Sequence, residues 1–552
     1  AKGDLDSAVR YYQKTIEIKP DFYFAHNNIG VIFKTRKNYD QALSFFNQAL
    51  AYNPGYISAI FNSAVIYGER RDHENAVQYL QLALKQEPEN DHVLATLVSQ
   101  FRQTCRWRDM EPVLEKLKSI TRQKLQQNLK PGEYPFNALV NHSDPMIHFQ
   151  IAEQYSRWIS RNVSGLYPLA KTSRQRSPDA RITIGYLSSD FRDHPLGHIM
   201  SGLLTFHDPE TFRVICYSAD HEIGDPYTQR IMQSCGKFVD IGNRPEANAA
   251  EMIREDKVDI LMDMTGYTKN SKIGVSANKP APVQVGFLGY LGTTGSEFID
   301  YIVTDQTATP PECRNHYSEA FAFMPDCYQA IDYSNFPAGR VFTRHDFHLP
   351  ENRVVFCSFN QTYKIDPKFF QLCMNILQQV PGSVLWLWKT GPEMKKNLQY
   401  TAEHDYNVNP DRLVFSDKLP LSDHLQRLKL ADIALDPIIY NGGATTNNSL
   451  WAGLPVVALK GNSFTTRMAA STVKACGLDE LAVDSLEDYK NTAVELAVSP
   501  DLLEKLKQKA GVARQESPVF NGALYMKNLE RLFVKMINKY ETGEKASEIE
   551  PE

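Results

Sequence analysis

Residues Leu435–Gly453 read LDPIIYNGGATTNNSLWAG: the end of an apolar run, a glycine turn, a threonine pair and the start of a helical pattern. The turn Asn441, Gly442, Gly443 lets backbone approach a ligand without interference from Cβ atoms. Thr445 and Thr446 place hydroxyls where the unpaired N–H groups of a helix start point outward. The preceding run ADIALD reads as a parallel strand, and ligands in such folds lie beyond the strand carboxyl ends. Together these features predict an anion site, with a diphosphate as the favoured anion. The same residues would equally serve an ordinary strand-to-helix loop with a threonine cap.

Outward from that stretch the chain alternates short β-rich runs with helix-periodic segments. From Arg181 the runs are RITIGYLSS, FRVICYS, VDILMDM, VQVGFLG and DYIVTD, separated by segments such as NAAEMIREDK. After a proline-bearing stretch between Phe336 and Pro350, a second series follows: RVVFCSF, SVLWLWK, RLVFS, DIALD and PVVALK. This alternation predicts two doubly wound parallel sheets with a cleft between them. Chemistry-bearing residues follow strand ends in both halves. In the first, Asp190 leads into Arg192, Asp193, His194 and Pro195; in the second, Asn360 leads into Gln361, Thr362, Tyr363 and Lys364, and Asp366 and Pro367 start a helix. No GxGxxG or GxxxxGK[ST] follows a first strand, which disfavours dinucleotide oxidoreductases and P-loop enzymes. The cleft candidates contain no Asp-x-Asp metal clamp; Asp4 and Asp6 have that spacing but fall in a repeat turn. A bound diphosphate would therefore need protein cations and helix N–H groups, and Lys364 is the natural cation.

Nearer the start, Ala8, Ala42 and Ala76 recur every 34 residues, as do Pro20, Pro54 and Pro88, while Gly3, Asn38 and Asp72 fall near hairpin turns. That period is the tetratricopeptide signature. Asn28 and Asn62 recur at the same interval, so their amides line one side of the stacked first helices, suited to helix-to-helix bonding or to holding an extended peptide. The pattern fades after about residue 104, as at a capping end. Asn141 to Pro145 read as a helix start capped by Ser143 or Asp144, with His142 at its N-terminus. The basic segment SRQRSPDA marks a boundary.

The 552 residues suggest three or four domains of about 100 to 200 residues each. A net charge of −5 gives no polycationic footprint, so nucleic acid is not expected as a partner. Eight cysteines without a CxxC pair, several inside apolar runs, predict buried thiols in a reducing compartment. No run is long and apolar enough for a membrane span, so a cytoplasmic protein without a membrane partner is expected. Ala1 falls within a repeat, which predicts a longer natural chain.

The motifs YLSSDFRDHPLGHIM, MTGYTK, APVQVGFLGYLGTTG, IDYIVTDQ, FNQTYKIDP, VLWLWK, LADIALD, YNGG with its threonines, and SLWAGLPVV, in that order, resemble the O-linked N-acetylglucosamine transferase family. The resemblance covers nearly the whole chain. It implies a tetratricopeptide α-solenoid followed by a GT-B glycosyltransferase of two Rossmann-like lobes. The boundaries are expected as repeats and caps over 1–120, a helical lead-in over 121–180, an acceptor-side lobe over 181–348, a donor-side lobe over 349–541 and a disordered acidic tail over 542–552. The implied activity is inverting, metal-independent transfer of N-acetylglucosamine from UDP-N-acetylglucosamine to Ser or Thr of proteins, which bind along the repeats. No cofactor is expected beyond the nucleotide-sugar substrate.

By position, Lys364 matches the lysine that neutralises the donor diphosphate, with Gln361 beside it. His424 and Arg427 match residues that pack on uracil. Gly443, Ala444, Thr445 and Thr446 match the diphosphate turn, Asn448 falls where a ribose-binding Asp is usual, and Leu288 and Gly289 match backbone near the sugar. On the acceptor side His194 ranks first, with Asp190 and His142 beside it, and the general base is left open among them. Gly443 and Ala444 replace the His and first Thr of animal members, Asn448 replaces the acid, and Leu421 replaces a lysine near the ribose. These departures leave GDP-fucose and UDP-glucose as alternative donors, and an inactive repeat scaffold as the reading from another class.

Overall fold

Small alanines at a fixed interval let helices pack closely, and the first part of the chain folds accordingly. A computed structural model describes residues 5–163, 181–220, 224–334 and 336–551. Contacts divide it into two units, Ala1–Asn137 with Gly391–Asn397, and Ala138–Thr390 with Leu398–Glu552. The segment SRQRSPDA, Gly3 and Asp4 lie outside the described residues, as does the latter part of the expected lead-in.

In the first unit the paired helices Leu5–Ile18, Tyr23–Thr35, Tyr39–Tyr52, Ile57–Glu69, His73–Gln86 and Asp91–Gln103 follow one another. Asn38 and Asp72 cap the second helices of their pairs by accepting from the N–H groups of Gln41 and Asn75. Just before each such cap, and again at Cys105, the chain turns through a left-handed residue: Lys37, Arg71 and Cys105 have φ of 57°, 59° and 54°. The turn thus repeats in backbone although none of the three is glycine. At Gly30 two helices approach closely, since a Cβ there would lie 2.5 Å from the Phe46 ring.

The second unit holds two parallel sheets. The first orders its strands β3-β2-β1-β4-β5-β6-β7, where β1 is Ile182–Ser188, β2 Phe212–Ser218, β3 Lys237–Asp240, β4 Ile260–Asp263, β5 Val283–Gly286, β6 Tyr301–Thr304 and β7 Ala320–Phe323. The second orders β10-β9-β8-β11-β12-β13, where β8 is Val355–Ser358, β9 Val384–Trp388, β10 Leu413–Ser416, β11 Ile433–Leu435, β12 Val456–Leu459 and β13 Ala482–Val483. All pairings are parallel, and nearly every strand residue is buried because helices cover both faces. In each sheet the order reverses beside its first strand, between β1 and β4 and between β8 and β11. Those switch points open a crevice at the carboxyl ends, where ligands bind in this architecture.

The structure differs from the sequence reading in two places. The helix Gly522–Glu541 does not stay with the second lobe: its Glu530 bonds His207 at 2.9 Å, and Gly522 packs on Phe206 of the first. The acidic tail is not disordered throughout. Ile549 is buried and bridges Ala322 of β7, exchanging backbone bonds with Phe321 and Phe323 at 2.9 and 3.0 Å, because an edge strand offers unpaired groups that even an acidic segment can satisfy. As expected, His142 precedes the helix Pro145–Val163, and of the two cap candidates Asp144 takes the role by accepting from the Met146 N–H. Among the described residues no helix is long and apolar enough to cross a membrane.

Candidate active site

The two switch-point ends of the second sheet meet at Lys364. The chain leaves β8, passes Asn360 and Gln361, and makes a short 3-10 turn over Thr362–Lys364. That turn carries the Lys364 side chain inward, so the residue is only 8% exposed. Its Nζ donates to the Asn441 carbonyl at 2.7 Å and stands 4.4 Å from the Tyr440 ring centroid. Burial lowers the lysine pKa from its ordinary value, and the Asp436 carboxylate opposes that shift. Asp436, at the end of β11, is displaced the other way: burial raises its pKa against the hydrogen bonds it accepts.

Asp436 builds the turn that follows it. Its Oδ1 accepts from the Gly442 N–H at 2.8 Å and lies 3.0 Å from the Thr446 hydroxyl. A Cβ on Gly442 would fall 2.8 Å from that oxygen and 2.7 Å from Thr446 Oγ1, so close approach requires glycine here. Thr446 thus faces inward and shapes the turn. Gly443, Ala444 and Thr445 remain partly exposed at the start of the helix Ala444–Trp451, whose first N–H groups have no side-chain cap. Backbone donors, a buried amine and a nearby threonine suit a multiply charged oxyanion.

On the helix Leu421–Leu428, His424 and Arg427 form a unit. Arg427 is buried, not a surface partner: its guanidinium stands 4.4 Å from the Phe359 ring, donates to the Asp417 carbonyl at 2.7 Å, and donates through Nε to His424 Nδ1 at 2.9 Å. The bond fixes the imidazole with its proton on Nε2. Burial, with Arg427 adding to it, pushes the His424 pKa down to about 3, so the ring is neutral. Asn448 is also engaged, its Oδ1 accepting from the Tyr333 hydroxyl at 2.7 Å, which turns its Nδ2 into the group available to a ligand. Gln361, at the start of the 3-10 turn, is exposed.

The first lobe brings Asp190 and His194 together beyond β1. His194 Nδ1 is 3.8 Å from Asp190 Oδ2 and accepts from the Leu196 N–H at 3.3 Å, so the histidine itself caps the helix Pro195–Leu203. Its side chain is 43% exposed. The packing around the ring lowers its pKa while Asp190 pulls upward. His142 is buried, its carbonyl accepting from His148 Nε2 at 2.8 Å. Beyond β5, Leu288 adopts φ of 59° and Gly289 passes so near Met264 that a Cβ would lie 1.8 Å from its carbonyl oxygen. In the repeats, the Asn62 amide is occupied within the stack, accepting from Lys34 Nζ at 2.6 Å and donating to Asn27 at 3.2 Å, whereas Asn28 is partly exposed.

Sequence reasoning missed Asp436 as the organiser of the turn, although its place at the end of ADIALD was the available signal. Tyr440 under the lysine and Tyr333 beside Asn448 carried no signal, since tyrosines in apolar runs read as core.

Two parallel α/β lobes with crevices at their switch points, here preceded by helical repeats, define the GT-B class of glycosyltransferase fold. A model of glycosyl transferase family 41 matches residues 104–338 and 336–529, and tetratricopeptide models match 23–56 and 57–90. The chain belongs to glycosyl transferase family 41. It is 34% identical over 462 residues to SEC of Arabidopsis thaliana, a probable UDP-N-acetylglucosamine–peptide N-acetylglucosaminyltransferase, covering 81% of this chain and 47% of that one. A Caenorhabditis elegans UDP-N-acetylglucosamine–peptide N-acetylglucosaminyltransferase is 26% identical over 557 residues, covering 80% and 48%. A solved mutant O-GlcNAc transferase of Thermobaculum terrenum superposes with a TM-score of 0.73 at 25% identity, covering 98% of this chain and 95% of that one. The chain spans about half the length of the curated relatives it matches.

Proposed function

We propose that this chain transfers N-acetylglucosamine from UDP-N-acetylglucosamine to Ser or Thr hydroxyls of proteins, in one displacement with inversion. The observation that carries the reading is the buried Lys364 amine, tied to the carbonyl of the glycine turn with Asp436 beside it. The acceptor oxygen attacks the anomeric carbon and gives up its proton to a base left open among His194, Asp190 and His142, while the bond from that carbon to the diphosphate oxygen breaks and its electron pair leaves with the nucleotide. Lys364 as ammonium, the uncapped N–H groups at Gly443 to Thr445 and the Thr445 hydroxyl stabilise that leaving charge, without a metal in the step. Gln361 flanks the diphosphate, His424 held by Arg427 meets the base, Asn448 donates to the ribose, and Leu288 and Gly289 line the sugar.

On the acceptor side, His194 with its Nδ1 engaged presents an Nε2 donor, and is read as orienting the substrate alongside Asp190 and His142. The repeats up to about residue 120 bind extended polypeptide, with Asn28 available to its backbone. All eight cysteines are unpaired, in keeping with a reducing, cytoplasmic setting.

The test is label transfer to a Ser/Thr-rich peptide from UDP-N-acetylglucosamine, UDP-glucose and GDP-fucose, with and without EDTA. Chelator-insensitive transfer from the first donor is expected. Preference for another donor would overturn the sugar assignment, and absence of both transfer and nucleotide binding would overturn the enzyme reading.

A further inference from the structure

We propose that Tyr328 is a diphosphate-binding residue: its hydroxyl, reaching from the segment after β7 to Gly443, donates to a phosphate oxygen held at the start of the helix Ala444–Trp451. The inference rests on the reading of that turn as the donor site and adds to it a residue from the other lobe.

Tyr328 is 1% exposed, and its hydroxyl has no hydrogen-bond partner among the described residues. A buried hydroxyl left unpaired forfeits its hydration without compensation, so it calls for a cause. The oxygen lies 3.8 Å from where a Cβ on Gly443 would stand, and Gln329 Oε1 lies 3.9 Å from the same point. Gly443 is itself partly exposed. A second unpaired donor belongs to the same neighbourhood: Asn447 Nδ2, in the first turns of that helix, has no partner, although its Oδ1 accepts from Gln329 Nε2 at 3.4 Å. Two unmatched donors therefore gather at a helix start that already presents uncapped N–H groups. The buried acceptors Asn360 Oδ1 and Asp436 Oδ2 are unmatched too, but the donor that reaches Gly443 is the Tyr328 hydroxyl, and a phosphate oxygen supplies the acceptor it lacks.

Tyr328 is also aimed and held. Its N–H donates to Asp305 Oδ2 at 2.8 Å, its carbonyl accepts from the Tyr525 hydroxyl at 2.6 Å, and its ring packs edge-on against Phe464 at 5.0 Å. Burial drives its pKa well above the ordinary tyrosine value, so the phenol keeps its proton and remains a donor.

The experiment titrates UDP and uridine into the full 552-residue chain carrying Tyr328→Phe, with Thr445→Ala as the reference for the turn. A hydrogen bond to a charged group predicts that Tyr328→Phe raises the Kd for UDP about tenfold, leaves that for uridine unchanged and does not lower Tm. Unchanged UDP affinity in Tyr328→Phe, with weakened affinity in Thr445→Ala, would overturn the inference and leave the donor reading standing. Equal weakening of UDP and uridine with a lowered Tm would overturn it in favour of a packing role. Unchanged UDP affinity in both variants would sink the donor reading and the inference with it.

Discussion

Lys364 Nζ sits 2.7 Å from the carbonyl oxygen of Asn441, a residue 77 positions further along the chain. The bond joins the end of β8 to the glycine turn after β11, so the cation and the anion turn are one device. Under the proposed function, an arriving diphosphate meets an ammonium already placed against the glycine turn, which is what preorganised charge stabilisation requires.

Replacement of Lys364 by Met keeps length and apolar packing but removes the cation. Turnover is expected to fall by about 100- to 1,000-fold, the range for loss of one preorganised charge-stabilising group. Thermal stability should fall modestly, because the Asn441 carbonyl loses its donor and the buried Asp436 its nearby cation. Single-turnover label transfer and calorimetry check the two halves.

The rate should also report the lysine's ionisation. The proposed mechanism needs the ammonium, and burial lowers the Lys364 pKa from 10.5. The rate therefore falls as pH rises through that lowered pKa, earlier than for a surface lysine. Asp436→Asn keeps an acceptor for the Gly442 N–H but removes the charge that favours the ammonium, so its alkaline limb should move to still lower pH. A profile of kcat/KM against pH for the two proteins decides it; an unmoved limb would separate Asp436 from Lys364.

Gly442→Ala places a Cβ 2.8 Å from Asp436 Oδ1 and 2.7 Å from Thr446 Oγ1. The turn must open to accept it, and UDP affinity is expected to drop about tenfold or more as the N–H groups lose their aim. Uridine affinity should change little, which competitive titration would show.

His424 is neutral at working pH, since its pKa is pushed down to about 3. His424→Ala should weaken uridine and UDP alike, by about fivefold to tenfold, the worth of one base contact. The histidine itself should impart no pH dependence to nucleotide binding near neutrality. A uridine affinity unaffected by the change would remove His424 from the base site.

Away from the cleft, Tyr186, His207 and Glu530 form a buried hydrogen-bonded chain, with His207 at 2.8 Å from the tyrosine hydroxyl and 2.9 Å from the carboxylate. Glu530 also accepts from the Asp208 N–H. Glu530→Ala strands both partners, and a loss of about 2 to 4 kcal/mol is expected from leaving buried polar groups unpaired. Denaturant titration measures it, and nucleotide affinity should stay unchanged.

Much of this molecule is written locally. The 34-residue interval fixes the helical pairs because each repeat brings its own alanines, cap and turn. The β-rich runs fix two parallel sheets because strands covered on both faces must be apolar throughout. That the glycine turn and Lys364 follow strand ends was legible because both come directly after apolar β-rich runs. What the sequence could not supply was partnership over distance. That Arg427 serves His424 through a bond and a buried stack, that Asn448 gives its acceptor to Tyr333, that His194 caps its own helix, that the last helix returns to the first lobe and that Ile549 completes an edge all depend on which surfaces meet after folding. Periodicity constrains the neighbours a residue has along its own element, whereas hydrogen bonds and burial between elements are decided only when the sheets, helices and tail close upon one another.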